Sequence, residues 1–256
     1  MSTRIRLVLV LTCVSMIAGA AVVPYQAAAM PEAFAQAQAE AGLPLAVIAA
    51  IAGVQTGILA GVLGWIGLRA GDALGLGAPV LEAWLEGRAP TLGPVLARVG
   101  VGILLGLGIA AADVGVLLPL LPDAPVPQPP PLLALGATLY GAVVEEILLR
   151  VFVLGGLAWL LSLPARRAGR LATWEVPAAV VLAALLFGIG HLPTAAAIWP
   201  LTPLVVARIV GLNLLLGIPF GLAYTRVGLL AAMALHGGAD LGLHVIPALV
   251  LAGGAS

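Results

Sequence analysis

The sequence predicts an all-α, polytopic integral-membrane helix bundle with seven or eight transmembrane helices, and three observations carry that prediction. Hydrophobic residues make up 62% of the chain and charged residues 9%, with a mean hydropathy of +1.18, which departs from the usual composition of soluble domains. Apolar runs of about 20 residues, the length a helix needs to cross ~30 Å of hydrocarbon, recur along the whole chain. Between them no stretch reaches the ~50 residues of a soluble domain.

The first run, Leu7 to Val23, follows Arg4 and Arg6 and precedes Ala27-Ala28-Ala29. A secretory signal peptide over Met1 to Ala29 is the alternative, but the apolar run exceeds the ~7–15 residues of a signal h-region, which favours a membrane helix. The connection Pro24 to Gly42 carries only Glu32 and Glu40 as charges. The second run, Leu43 to Leu68, ends at Arg69 and leads through a Gly-rich link, Gly71 to Pro79. From Pro79 to Gly87, the residues Val80, Leu81, Trp84 and Leu85 set against Glu82 and Glu86 predict a short helix lying in the interface.

The third run, Val95 to Leu120, follows Arg88 and precedes Pro122 to Pro131, which holds Asp123 and six prolines. The fourth, Leu132 to Leu163, is too long for one straight crossing, and a break at Gly155-Gly156 would create an eighth element. Arg166, Arg167 and Arg170 follow it. The fifth, sixth and seventh runs are Val176 to Trp199, Pro203 to Leu222 and Val227 to Leu251, with Arg226 after the sixth. Arginines thus mark alternate connections, and the positive-inside rule puts the amino terminus in the cytoplasm. Trp65, Trp159, Trp174 and Trp199 fall near span ends, where an amphipathic indole is at home.

Formal net charge is zero and the basic residues are scattered, so no basic stripe invites nucleic acid. The single Cys13 excludes an intrachain disulfide. Absence of lysine with heavy Ala, Gly and Leu usage suits a GC-rich bacterial genome, and the expected location is a bacterial cytoplasmic membrane.

Polar residues within the spans carry the chemistry, because a charge near the bilayer centre costs roughly 2.5–3.5 kcal/mol on insertion scales. Glu145 and Glu146 are ~100° apart on an α-helix and are expected on different faces. Glu146 and Arg150 are spaced i,i+4 with the acid first, the favourable order for a pair. His191 closes Phe187-Gly188-Ile189-Gly190-His191, with Phe187 one turn earlier on the same face. His236 and Asp240 repeat the i,i+4 spacing in His236-Gly237-Gly238-Ala239-Asp240. Three spans each supply titratable groups, which points to one shared polar pocket. Counting from span ends at ~1.5 Å per residue puts Glu145 and His191 near mid-membrane and His236 closer to the cytoplasm. Small residues around them let helices approach closely.

Glu145-Glu146-Ile147-Leu148-Leu149-Arg150 resembles the Glu-Glu-x-x-x-Arg signature of the CPBP intramembrane proteases, the CAAX protease and bacteriocin-processing (Abi) family that includes the type II CAAX prenyl endopeptidase. Phe187 to His191 is similar to its Phe-x-x-x-His motif, His236 to Asp240 to its His-x-x-x-Asn/Asp motif, and Leu216-Gly217-Ile218-Pro219-Phe220-Gly221 to its Leu-Gly-x-x-x-Gly element. The likeness runs over Thr138 to Leu243.

The apolar runs divide the chain into 1–31 as first transmembrane helix and 32–131 as the second and third with the interfacial segment, and the resemblance implies 132–256 as catalytic core. It implies hydrolysis of a peptide bond in a membrane-anchored or hydrophobic peptide, by a water activated at a Glu/His centre. Glu145 is expected as general base and His191 as the group positioning the water or a metal holding it. Glu146 with Arg150 is expected as an electrostatic brace, and His236 with Asp240 as the holder of the substrate carbonyl or oxyanion. Asp in place of Asn is a departure: a carboxylate repels an oxyanion unless protonated, so orienting His236 and binding a cation are its other expected roles. Glu145, His191 and His236 are the expected ligands if a divalent ion such as Zn²⁺ takes part. His244, a further i,i+4 step beyond Asp240, is expected at the far interface. A transporter and a non-catalytic scaffold or immunity protein of the same fold are the alternatives, since intramembrane acids and Gly-rich helices also build solute paths.

Overall fold

The computed structural model describes residues 1–89, 91–121, 129–167 and 173–253. The proline-rich stretch 122–128, with Asp123, and Arg170 lie outside the described residues. Seven helices are long and apolar enough to cross a membrane, and no strand occurs among the described residues. The chain is an all-α polytopic membrane bundle.

The first span is α1 (Thr3–Ala29), capped by Ser2 and running on past Pro24. After it comes α2 (Pro31–Ala41), an exposed helix within the connection that the sequence left without structure. Its markers are nonetheless present, with Pro31 at the first position and Gly42 closing the end at φ 62°. The second span is α3 (Leu45–Asp72), and α4 (Pro79–Leu85) is the expected short helix, with Trp84 60% exposed. The third span runs through α5 (Leu92–Ala112), a π turn at Asp113–Leu117 and a 3₁₀ turn to Leu120.

The fourth span joins α6 (Pro131–Tyr140), two π-helical stretches and α7 (Gly155–Arg167) without interruption. Gly155-Gly156 therefore does not break it. A glycine pair breaks helices in water by exposing backbone to solvent, whereas in lipid the backbone has no alternative partner and the helix persists. Gly155 instead faces α3: a Cβ there would stand 3.4 Å from the Gly67 carbonyl oxygen. The fifth span comprises α8 (Glu175–Gly190) and α9 (Leu192–Ala196), the sixth is α10 (Pro203–Val227), and the seventh joins α11 (Leu229–Asp240), a π turn and α12 (Ile246–Gly253).

Glycines set the helix crossings. A Cβ at Gly67 would collide with the Val151 carbonyl, at Gly102 with that of Leu235, at Gly136 with that of Ala21, and at Gly188 with that of Val210 at 2.8 Å. Association in lipid gains no hydrophobic drive between helices, so this backbone proximity and its van der Waals contact hold the bundle. Between α10 and α11, Gly228 adopts φ 109°, a left-handed value. The next amide, on Leu229, donates to the Gly77 carbonyl at 3.0 Å, fastening this turn to the link before α4. At the same end Arg4 pairs with Asp72 at 2.8 Å and Glu82 at 3.2 Å, and Arg6 donates to the Leu85 carbonyl.

Polarity is inverted relative to a water-soluble protein. Leu104 is 71% and Leu96 66% exposed, while Glu146 and Arg150 are at 0% and 1%. Lipid takes the outward apolar face, and the interior holds the charge.

Candidate active site

The fourth span is wound as π-helix at Gly141–Glu145 and again at Ile147–Leu154, a winding that recurs at functional sites. An i→i+5 turn is wider than an α turn, so consecutive side chains diverge by less than ~100°. The expectation that Glu145 and Glu146 serve different faces is corrected accordingly. Glu146 Oε1 lies 2.7 Å from His236 Nδ1, and Glu145 Oε2 lies 3.8 Å from His236 Nε2. One imidazole meets both carboxylates because its two nitrogens face different ways.

Depth counting fails for a related reason. His236 stands seven residues into α11 and Glu146 nineteen residues before Ala165, yet they are in contact. The fourth span extends well beyond the start of the seventh, so residue counts from helix ends do not share an origin.

Glu146 Oε1 also lies 3.2 Å from Arg150 Nη1, the expected i,i+4 pair, with both side chains essentially inaccessible. Arg150 Nη2 donates to the Gly217 carbonyl at 3.3 Å. Its guanidinium sits 4.9 Å from the Phe187 ring centroid and 5.3 Å from that of Phe220, positions that favour a desolvated cation. Phe220 stacks on His236 at 4.4 Å with 19° between planes, and Phe187 meets the same imidazole edge-on at 5.7 Å. The two phenylalanines therefore hold cation and imidazole together.

Asp240 Oδ1 lies 3.6 Å from His236 Nε2, so among its expected roles the geometry favours orienting the ring. Gly141 makes room for this pair: a Cβ there would overlap Asp240 Oδ2 and stand 3.0 Å from His236 Nε2. His191 sits apart from the carboxylates. It ends α8, and its Nδ1 lies 2.8 Å from the Phe187 carbonyl oxygen. A carbonyl only accepts, so Nδ1 carries a hydrogen, and in the neutral ring the lone pair is on Nε2. Phe187 connects His191 to His236, with its ring edge-on to His191 at 4.7 Å. His244 is exposed, 6.3 Å from the Tyr25 ring, outside this cluster.

A metal centre on Glu145, His191 and His236 requires their donors to converge on one point. Among the described residues no three His, Cys, Asp or Glu side chains are so placed. His236 Nδ1 is engaged by Glu146 and His191 Nδ1 by its own helix, which leaves Nε2 as the open nitrogen of each ring.

Residues 127–242 match the family model for type II CAAX prenyl endopeptidase Rce1-like. The Rce1-like segment contains Glu145, Glu146, Arg150, His191, His236 and Asp240, and it bears out the resemblance read from the four motifs. No curated protein and no solved structure matches the chain.

Sequence reasoning assigned no role to Gly217 or Phe220, although both stand in the Leu216 to Gly221 element of the Rce1-like segment. Gly141 was likewise unassigned. Also unread was the two-point pair between Arg208 and Asp113, at 2.6 and 2.5 Å, which ties the sixth span to the third.

Proposed function

We propose that this chain is an intramembrane endopeptidase that hydrolyses a peptide bond in a membrane-anchored or hydrophobic substrate of the CAAX-processing kind, with its Arg-rich end in the cytoplasm. One observation carries the assignment of roles: of the two adjacent glutamates, Glu146 is sealed at 0% side-chain exposure while Glu145 is 22% exposed. The accessible carboxylate is the one free to meet water and substrate.

The separation of 3.8 Å between Glu145 Oε2 and His236 Nε2 exceeds a direct hydrogen bond and suits a bridging water. Glu145 takes a proton from that water as its oxygen attacks the scissile carbonyl carbon. His236, in its imidazolium form, donates through Nδ1 to Glu146 and through Nε2 to the developing oxyanion. The carbon–nitrogen bond then breaks, and the proton held by Glu145 passes to the leaving amine. Glu146, charged and braced by Arg150, supports the imidazolium, and Asp240, 3.6 Å from Nε2, adds to that support while the Nε2 hydrogen goes to the oxyanion. His191, across Phe187, presents Nε2 as an acceptor for positioning water or a substrate amide.

The test compares wild type with Glu145→Gln in membranes, using peptide proteomics to find cleavage products that vanish in the variant. Loss of a positioned acid/base group lowers turnover by about 10²–10⁴-fold, while unfolding stays close to wild type because Glu145 makes no buried ion pair with Arg150. An unchanged peptide pattern, with both proteins folded and abundant, refutes the proposal.

A further inference from the structure

Outside the candidate site, α1 and α3 form a shallow, outward-facing groove of about 360 Å³, lined by Val8 and Thr12 on one side and Ile58, Gly61, Val62, Trp65 and Ile66 on the other. It opens outward rather than toward the catalytic cluster. On α3 the residues that pack inward are Ala60, Gly64, Gly67 and Leu68, whereas Ile58, Val62 and Ile66 are 60%, 54% and 48% exposed. The groove is therefore a feature of the lipid-facing surface.

Its polar end is defined by charge. Arg69 stands one turn beyond Trp65, with its guanidinium 5.1 Å from the indole centroid, and it is exposed. Its neighbours at this end, Arg4 and Asp72, are already paired with each other, and among the described residues no acid pairs with Arg69. A cation stacked on an interfacial tryptophan, at the mouth of an apolar furrow, is complementary to an anion carrying a hydrocarbon chain. The dimensions agree. From Ile58 to Arg69 is eleven residues, about 16 Å at 1.5 Å rise, close to the ~15 Å depth of one leaflet.

We infer that this groove binds one anionic phospholipid of the bilayer, with its phosphate at Arg69 and Trp65 and one acyl chain lying along Ile66, Val62 and Ile58 against Val8 and Thr12. The site selects by headgroup charge at Arg69 and by groove shape along the chain. It is independent of the peptidase proposal, since none of its residues belongs to the catalytic cluster.

Native mass spectrometry of the full chain in mixed micelles, titrated with phosphatidylglycerol or phosphatidylcholine, tests this. Wild type retains one phosphatidylglycerol about fivefold more tightly than phosphatidylcholine, the effect of one interfacial cation. Arg69→Gln removes that preference and Arg69→Lys restores most of it. Val62→Trp fills the groove and weakens both lipids by about tenfold, equivalent to losing two buried methylenes. Both side chains are exposed, so unfolding temperatures in phospholipid-free detergent stay at the wild-type value. Equal retention of the two lipids by wild type, or a preference that survives Arg69→Gln, overturns the inference. If Val62→Trp fails to fold, the Arg69 series alone decides.

Discussion

The buried triad Arg150–Glu146–His236 allows the structural contribution of one carboxylate to be separated from its proposed catalytic one. Glu146 Oε1 is shared between Arg150 Nη1 at 3.2 Å and His236 Nδ1 at 2.7 Å, and neither Glu146 nor Arg150 reaches solvent. In Glu146→Gln the guanidinium keeps its hydrogen bond to Gly217 and its two aromatic neighbours but loses its counter-charge. Breaking a buried pair from one side destabilises by about 3–5 kcal/mol. Arg150→Met leaves Glu146 with only His236 and is expected to destabilise to a similar extent. In the double variant both charges are gone and a flexible apolar side chain fills the space between Phe187 and Phe220. Its stability should return to within about 1–2 kcal/mol of wild type, because an apolar replacement of a buried pair is often close to neutral. Activity does not return. His236 keeps an acceptor at Nδ1 in the amide oxygen but has lost the negative charge that supports its imidazolium, so cleavage should stay lower by about tenfold or more. Reversible unfolding in mixed micelles gives the stability cycle, and cleavage of a substrate found by peptide proteomics gives the activity. Additive destabilisation in the double variant would refute the ion-pair reasoning, and recovery of cleavage together with stability would refute the role given to Glu146 at His236.

Two further outcomes follow from the packing. Gly141→Ala places a methyl against Asp240 Oδ2 and His236 Nε2 and should lower cleavage by about tenfold or more; Gly156→Ala, which meets nothing within 4 Å, should leave cleavage unchanged and serves as its control. Asp113→Asn leaves Arg208 without the two-point partner that joins the third and sixth spans, so micelle unfolding should show a loss of about 3 kcal/mol, with cleavage per folded molecule preserved.

What the sequence discloses and what it withholds have different physical origins. The seven crossings are legible because lipid demands long apolar runs, and Glu145, Glu146, Arg150, His236 and Asp240 are legible because charge in such runs is too unfavourable to be incidental. The Glu146–Arg150 pair follows from local spacing alone. By contrast, the convergence of Glu145 and Glu146 on His236 depends on π winding, which no residue pattern around Gly141 announces. His191 closes α8, and its Nδ1 contact with the Phe187 carbonyl one turn earlier is local, within reach of the Phe-x-x-x-His spacing. Asp113 and Arg208 stand 95 positions apart, and only the packed bundle brings them together.

Gly217 and Phe220 show where a motif says more than its letters. Within Leu216 to Gly221 the glycine supplies a carbonyl to Arg150, and a Cβ there would stand 2.9 Å from that of Ala184, so its smallness serves the α8–α10 crossing at the same time. Phe220 is fully buried and stacks on His236. In a sequence that is 62% hydrophobic, one more phenylalanine carries no signal of its own. Charged residues stand out against such a background, and apolar residues that position them do not. The proposed catalytic cluster is thus readable from its ionisable atoms, while the aromatic and backbone atoms that fix their distances become visible only in three dimensions.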